Sequence, residues 1–202
     1  GMPNGPAKKF VKSYKSIGYM HFNNKTNKMV VKFLDFVFKS PITILTKDKD
    51  LIRFYFPSNK ELFYDNSRSI KLSRYTGMNL DFSIIYELAL GRIPMLANFT
   101  IKKANKQFIV LENNKYYQTV SIKNNVPDKM LFINKLSKQR FEFYLQKKST
   151  YGKSTIYRKI TIYSAKDRTS LAVYLNNIKV NKPIKVNTLL RIPGNVKRYK
   201  MN

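Results

Sequence analysis

The feature that most constrains this chain is a rhythm. From residue 29 onward, short runs of β-branched and aromatic residues are separated by turn signals about every ten residues, and the pattern breaks only once, at an apolar segment over 81–90. Before the break the runs predict strands at 29–38, 42–46, 51–56, 62–64 and 70–75, preceded by an extended stretch at 17–22 and a turn at 23–27. After it they fall at 99–103, 107–112, 116–122, 129–136, 140–147, 156–163, 171–175 and 178–180, with a turn at 124–128. Connections this short join antiparallel neighbours, because parallel strands need a crossover of a dozen residues or more. No linker and no internal repeat divides the chain, so a single domain over 1–202 is expected.

The break is a helix. Asn79 or Asp81 is placed to cap its start, Gly91 to end it, and Pro94 lies beyond. Phe82, Ile84, Ile85, Tyr86, Leu88, Ala89 and Leu90 leave almost no polar face, so this helix must be covered on more than one side. A short amphipathic helix is also expected at 7–16, with Phe10, Val11 and Tyr14 opposite Lys8, Lys12 and Lys15.

Several strands carry bulky apolar residues at alternate positions: Met130 and Phe132; Phe141, Phe143 and Leu145; Ile156, Ile160 and Ile162; Leu171, Val173 and Leu175. Their other faces hold Lys, Arg, Glu, Tyr and Asn, so one face is dry and one wet. Two helices are few to cover so many strands, and a sheet of that width must curl, close, or be lined by something else. A curled sheet with a helical lid suits an apolar ligand. The candidate lining is Leu34, Phe36, Ile52, Phe54, Ile84, Ile85, Leu88, Met130, Phe132, Phe141, Phe143, Leu145, Ile160, Leu171 and Val173. An ordinary packed core would use the same faces. Met95 and Leu96, in the loop after the helix, are candidates for an apolar tip that touches membrane or cargo, or that tucks into the core.

Composition removes most catalytic chemistry. There is no Cys and one His, so thiolate nucleophiles, disulfides and Cys-based metal sites are excluded, and any Ser-His-Asp site would have to use His21. His21 lies between Met20 and Phe22 and reads as a structural residue. Asp48 and Asp50 sit in a charged hairpin turn. An enzyme is not expected, and neither is a cofactor or a metal.

The net charge is +28, from 39 Lys plus Arg against 11 Asp plus Glu. Lysine accounts for 30 of the cations, and Asn is abundant at 20, a joint enrichment that an A- and T-rich genome produces without selection for binding. Read functionally, the charge attracts anionic partners, either phosphate backbones or acidic lipid head groups. The scarcity of Arg argues for diffuse attraction over specific readout. Residues 1–6 read as a frayed start, and Gly1 ahead of Met2 as a cloning remnant, so that an export signal is expected to have been removed upstream.

The segment Thr76-Gly-Met-Asn-Leu-Asp-Phe-Ser-Ile-Ile-Tyr-Glu-Leu-Ala-Leu-Gly-Arg-Ile-Pro94 resembles the mid-chain helix of the LolA/LolB-like superfamily of lipoprotein carriers. Ser16-Ile-Gly-Tyr-Met-His-Phe22 is similar to the family's first strand, and Leu51-Ile-Arg-Phe-Tyr-Phe-Pro57 to its strand that ends at a Pro. Val126-Pro-Asp-Lys-Met-Leu-Phe132, Val180-Asn-Lys-Pro-Ile184 and Leu190-Arg-Ile-Pro193 are similar to its later strands and tail. The resemblance implies a mainly β (α+β) fold: one strongly curved antiparallel sheet, an incomplete β-barrel, with short helices covering the concave face. It also implies a carrier or receptor for lipid or lipoprotein acyl chains, monomeric, periplasmic or associated with the outer membrane. Such basicity is not a family hallmark.

The alternative is a basic β-domain that binds nucleic acid or anionic surfaces, with Tyr55, Tyr75, Tyr116, Tyr117, Tyr144 and Tyr157 as stacking residues. No recognised nucleic-acid motif supports it, and nucleic acid ranks behind lipid as the expected partner.

Overall fold

In the computed structural model the residues described are 16–23, 25–35, 37–38, 40–66, 80–152, 154–166, 168–179 and 192–201. The helix expected at 7–16 lies outside them, save for Ser16, which already belongs to a strand; so do the strand expected at 70–75, Phe36 and Tyr75. The chain divides into two compact units, one of residues 1–66 with 184–202 and one of residues 67–183.

The first unit holds β1 (Ser16–Asn23), β2 (Lys28–Asp35), β3 (Pro41–Asp48), β4 (Leu51–Phe56), β5 (Glu61–Asn66) and β13 (Lys197–Lys200), a six-stranded sheet in the order β1-β2-β3-β4-β5-β13. Each hairpin follows from its turn. Asn27, with a positive φ of 51°, turns β1 into β2, and Lys49, at 53°, turns β3 into β4. Asp48 pairs with Lys28 beside that turn, where the sequence had placed a charged hairpin. Both faces of this sheet carry apolar residues. Ile52 and Phe54 are buried on one, and Tyr55 and Leu62 pack with Ile44, Val196 and Ile192 on the other.

Among the described residues the second unit holds one helix and seven strands. α1 (Phe82–Ala89) precedes β6 (Thr100–Ala104), β7 (Phe108–Glu112), β8 (Tyr116–Lys123), β9 (Val126–Asn134), β10 (Arg140–Tyr151), β11 (Ser154–Ser164) and β12 (Thr169–Tyr174). The strands pair in chain order as an uninterrupted antiparallel meander. Alternation of buried residues with partly buried or exposed ones in β8, β9 and β10 puts Tyr116, Gln118, Val120, Met130, Phe132, Phe141, Phe143 and Leu145 on a single dry face.

Several expectations need correction. The described strands form two sheets where one was expected, and among them neither closes into a barrel. The first sheet is mixed: β13 runs parallel to β5, with Tyr199 stacked on Phe63 at 5.1 Å. A strand of four residues pairing with one more than a hundred residues earlier leaves no local signature to read. The turn expected at 124–128 contracts to Asn124 and Asn125, whose φ values of 51° and 60° make a two-residue hairpin. Val126, Pro127 and Asp128 are strand. Pro127 is tolerated because β10 pairs β9 only over Lys129–Ile133, so no ladder bond is asked of it from that side. Ile178 and Lys179 lie outside any strand, and among the described residues α1 is the one helix.

Candidate functional site

The covered face of the seven-stranded sheet is where the sequence-derived lining converges. Ile84 and Leu88, four residues apart on one side of α1, pack with Leu80 and Leu96 against Leu111, Tyr116, Val120, Met130, Phe132, Phe141, Phe143, Leu145, Tyr157, Ile160 and Ile162. Met130, Phe132, Phe141, Phe143 and Ile160 have no exposed surface. The aromatic rings meet edge to face, Phe132 on Phe143 at 5.0 Å and Tyr116 on Phe132 at 6.1 Å. Leu171 packs at the margin, and Val173 is half-buried opposite Ile160. On another side of α1, Phe82 and Tyr86 are also buried and stack at 6.1 Å, leaving Ser83 exposed and Glu87 half-buried. The helix is thus covered on two sides, as its composition requires.

The cover is held by polar contacts along its length. At the start, Asp81 occupies the cap position without making a side-chain capping bond, and its carboxylate pairs with Lys115. At the end, the Arg92 N–H donates to the Glu87 carbonyl at 2.9 Å and the Gly91 N–H to Leu88 at 2.9 Å, a Schellman-type stop. Gly91 has φ 70°, and a Cβ there would lie 2.3 Å from Ile156 Cγ2 and 2.9 Å from Leu175 Cδ1. Its carbonyl accepts from the Tyr157 N–H at 3.1 Å, tying the helix end to β11.

Gln118 is the residue that sequence reasoning missed. Fully buried on the dry face of β8, its Oε1 accepts from the Leu96 N–H at 3.0 Å and its Nε2 donates to the Pro94 carbonyl at 2.7 Å. It therefore pairs both backbone groups of a segment that passes over apolar residues and has no strand partner. The signal was available: a Gln at an inward position between Tyr116 and Val120 needs polar partners inside. Asn113 adds a contact, its Nδ2 donating to the Ala97 carbonyl at 3.1 Å. Leu96 is buried by these contacts, whereas Met95 is 47% exposed.

An open groove of about 710 Å³ runs along the outside of this cover, between the Ser83–Glu87 side of α1, the 93–98 segment and the turn at 113–116. Its lining mixes Asp81, Lys115 and three asparagines with Ile93 and Met95. Burial holds the Tyr116 and Tyr86 hydroxyls above their ordinary pKa, so both stay neutral through the physiological range.

The remaining lining candidates lie elsewhere. Ile52, Phe54 and the half-buried Leu34 belong to the first unit, and the side chain of Ile85 lies outside the described residues. Of the stacking tyrosines named for nucleic acid, Tyr55, Tyr116 and Tyr157 are buried. Tyr117 and Tyr144 are exposed, but Lys135 and Lys129 sit 4.7 and 5.1 Å from their ring centres. Among the described residues no group of three His, Asp or Glu could hold a metal, and no helix is long and apolar enough to cross a membrane.

No protein-family model matches the sequence, and no curated protein matches it. Among solved structures, the fold is similar to that of a "putative outer membrane lipoprotein-sorting protein domain" from Vibrio parahaemolyticus, with a TM-score of 0.59 at 15% identity, covering 80% of this chain and 74% of that one. The likeness establishes the fold, and it is the fold to which the motifs at 16–22, 51–57 and 76–94 point.

Proposed function

We propose that this chain is a non-enzymatic carrier or receptor for lipid or lipoprotein acyl chains at the bacterial cell envelope. The observation that carries this reading is the cover on the second sheet. α1 and the 93–97 segment lie over a continuous apolar face, and discrete polar contacts from Gln118, Asn113, Tyr157 and Lys115 hold them there. Fold similarity to a lipoprotein-sorting domain supports the same reading.

In this mechanism no bond is made or broken in the cargo. The cover shifts off the sheet, and an acyl chain takes over its contacts with Met130, Phe132, Phe141, Phe143 and Ile160. Each methylene buried contributes about 0.8 kcal/mol, so a long chain offsets the lost helix packing. Release reverses the exchange. The resident cover keeps the face dry when no cargo is bound, which a soluble carrier needs to avoid aggregation.

Native mass spectrometry with organic extraction tests the reading directly. Retained or added acyl lipid should appear as a bound mass, and Leu88→Glu should abolish uptake while the β-sheet circular dichroism persists. A protein that stays lipid-free with added fatty acid and phospholipid at low and high salt is not a carrier.

A further inference from the structure

Asparagine or aspartate closes five tight turns in the described residues by the same device. The side-chain oxygen of Asn23, Asp35, Asn105, Asn113 or Asn134 accepts the N–H groups two and three residues on. In three of them the residue two places on is Lys25, Gln107 or Lys115, as a water-facing tip requires. The other two carry Val37 and Leu136, and Leu136 is 94% exposed, the most exposed large apolar residue described.

The β9–β10 turn that presents Leu136 is firmly built. Asn134 accepts the Leu136 N–H at 3.0 Å and the Ser137 N–H at 2.9 Å, while its own N–H donates to the Gln139 carbonyl at 2.9 Å. Gln139 in turn reaches Ser164 at 3.4 Å. The N–H groups of Leu136, Ser137 and Lys138 are therefore satisfied within the turn by Asn134, which holds the tip and its leucine in one shape. The meander places the β7–β8 and β11–β12 turns at the same end of this sheet. Lys138, Arg140, Lys166 and Arg168 are exposed there, outnumbering the Asp167 that lies between the last two in the sequence, while Asp81 and Glu112 already pair with Lys115, Lys102 and Lys135. The Val37 turn differs because the group at its centre is the Asp35 carboxylate, which an anionic surface repels.

We infer that the Leu136 tip docks this protein on an anionic phospholipid bilayer, the leucine entering below the head groups and Lys138, Arg140, Lys166 and Arg168 meeting the phosphates. The inference rests on the envelope reading above and gives it a point of contact. An exposed leucine at the same end of the sheet as four exposed cations matches a surface that is apolar beneath and anionic above, which neither water nor a nucleic acid offers.

Flotation of the full chain with phosphatidylglycerol-containing vesicles, against pure phosphatidylcholine vesicles, tests it. Binding is expected to the anionic vesicles alone and to fall with salt. Leu136→Glu should weaken it about tenfold. The double variant Lys138→Glu with Arg168→Glu should weaken it and flatten its salt dependence. All these positions are exposed, so thermal midpoints should not move. Equal binding by Leu136→Glu, equal binding to phosphatidylcholine, or binding to single-stranded oligonucleotide with none to vesicles would overturn the inference. Acyl-chain uptake, measured separately, is expected to be unchanged in Leu136→Glu. Leucine-dependent docking without any uptake would sink the carrier reading and leave this one standing.

Discussion

Two residues fix the cover of the second sheet for different physical reasons. Gly91 combines a left-handed backbone with contact to Ile156 and Leu175 too close for any Cβ. Gly91→Ala should therefore destabilise by about 3 kcal/mol, through backbone strain and overpacking together, seen as a lowered midpoint in urea. Gln118 acts through pairing. Gln118→Met keeps the volume but strands the Leu96 N–H and the Pro94 carbonyl, at a cost of about 2 kcal/mol. Hydrogen exchange should then quicken at 95–97 with the strand amides still protected; uniform loss of protection would mean that the segment is part of the core and not a cover. Glu112 illustrates charge at this scale. Lys102 and then Lys135 hold its carboxyl down at about 2, against an ordinary 4.5. A lowered folded value means the stabilisation is complete above pH 4.5 and is lost as the pH falls toward 2. The thermal midpoint should decline over that interval, and less so in Glu112→Gln.

At the scale of elements, the helix and the central strands were legible because their signals are local. The expected helix at 81–90 and the observed Phe82–Ala89 agree to within a residue at each end, and Gly91 stops it as read. The strand at 51–56 coincides with β4, and most others agree to within a residue at one end. The misjudged edges share a cause. The 124–128 turn was drawn too long because Pro127 reads as a breaker, yet Asn124 and Asn125 alone supply both positive φ values the hairpin needs. The expected strand 140–147 is shorter than β10, since Lys148 to Tyr151 lack apolar alternation and are held by pairing with β11. Pairing registers that depend on a neighbour strand leave no trace in the strand's own sequence.

Across the whole molecule, a cationic surface surrounds interiors of ordinary chemistry. Among the described residues five carboxylates, those of Asp48, Asp81, Glu87, Glu112 and Glu142, make six ion pairs with lysine or arginine, against a far larger pool of cations. Surface pairs of this kind contribute little to stability, so the excess charge is available for anionic partners. By itself the sequence determined the class of fold, the position of the helix, most apolar residues of the second sheet's dry face and the absence of cysteine chemistry, because alternation, capping and composition are properties of neighbours along the chain. Only the tertiary structure decided that the strands divide between two sheets, that β13 joins the first in parallel, that Gln118 pins the cover, and that Leu136 stands in solvent while Leu96 does not. Those outcomes depend on which surfaces meet across long stretches of chain, and an apolar residue on a turn reads the same whether it is tucked in or left out.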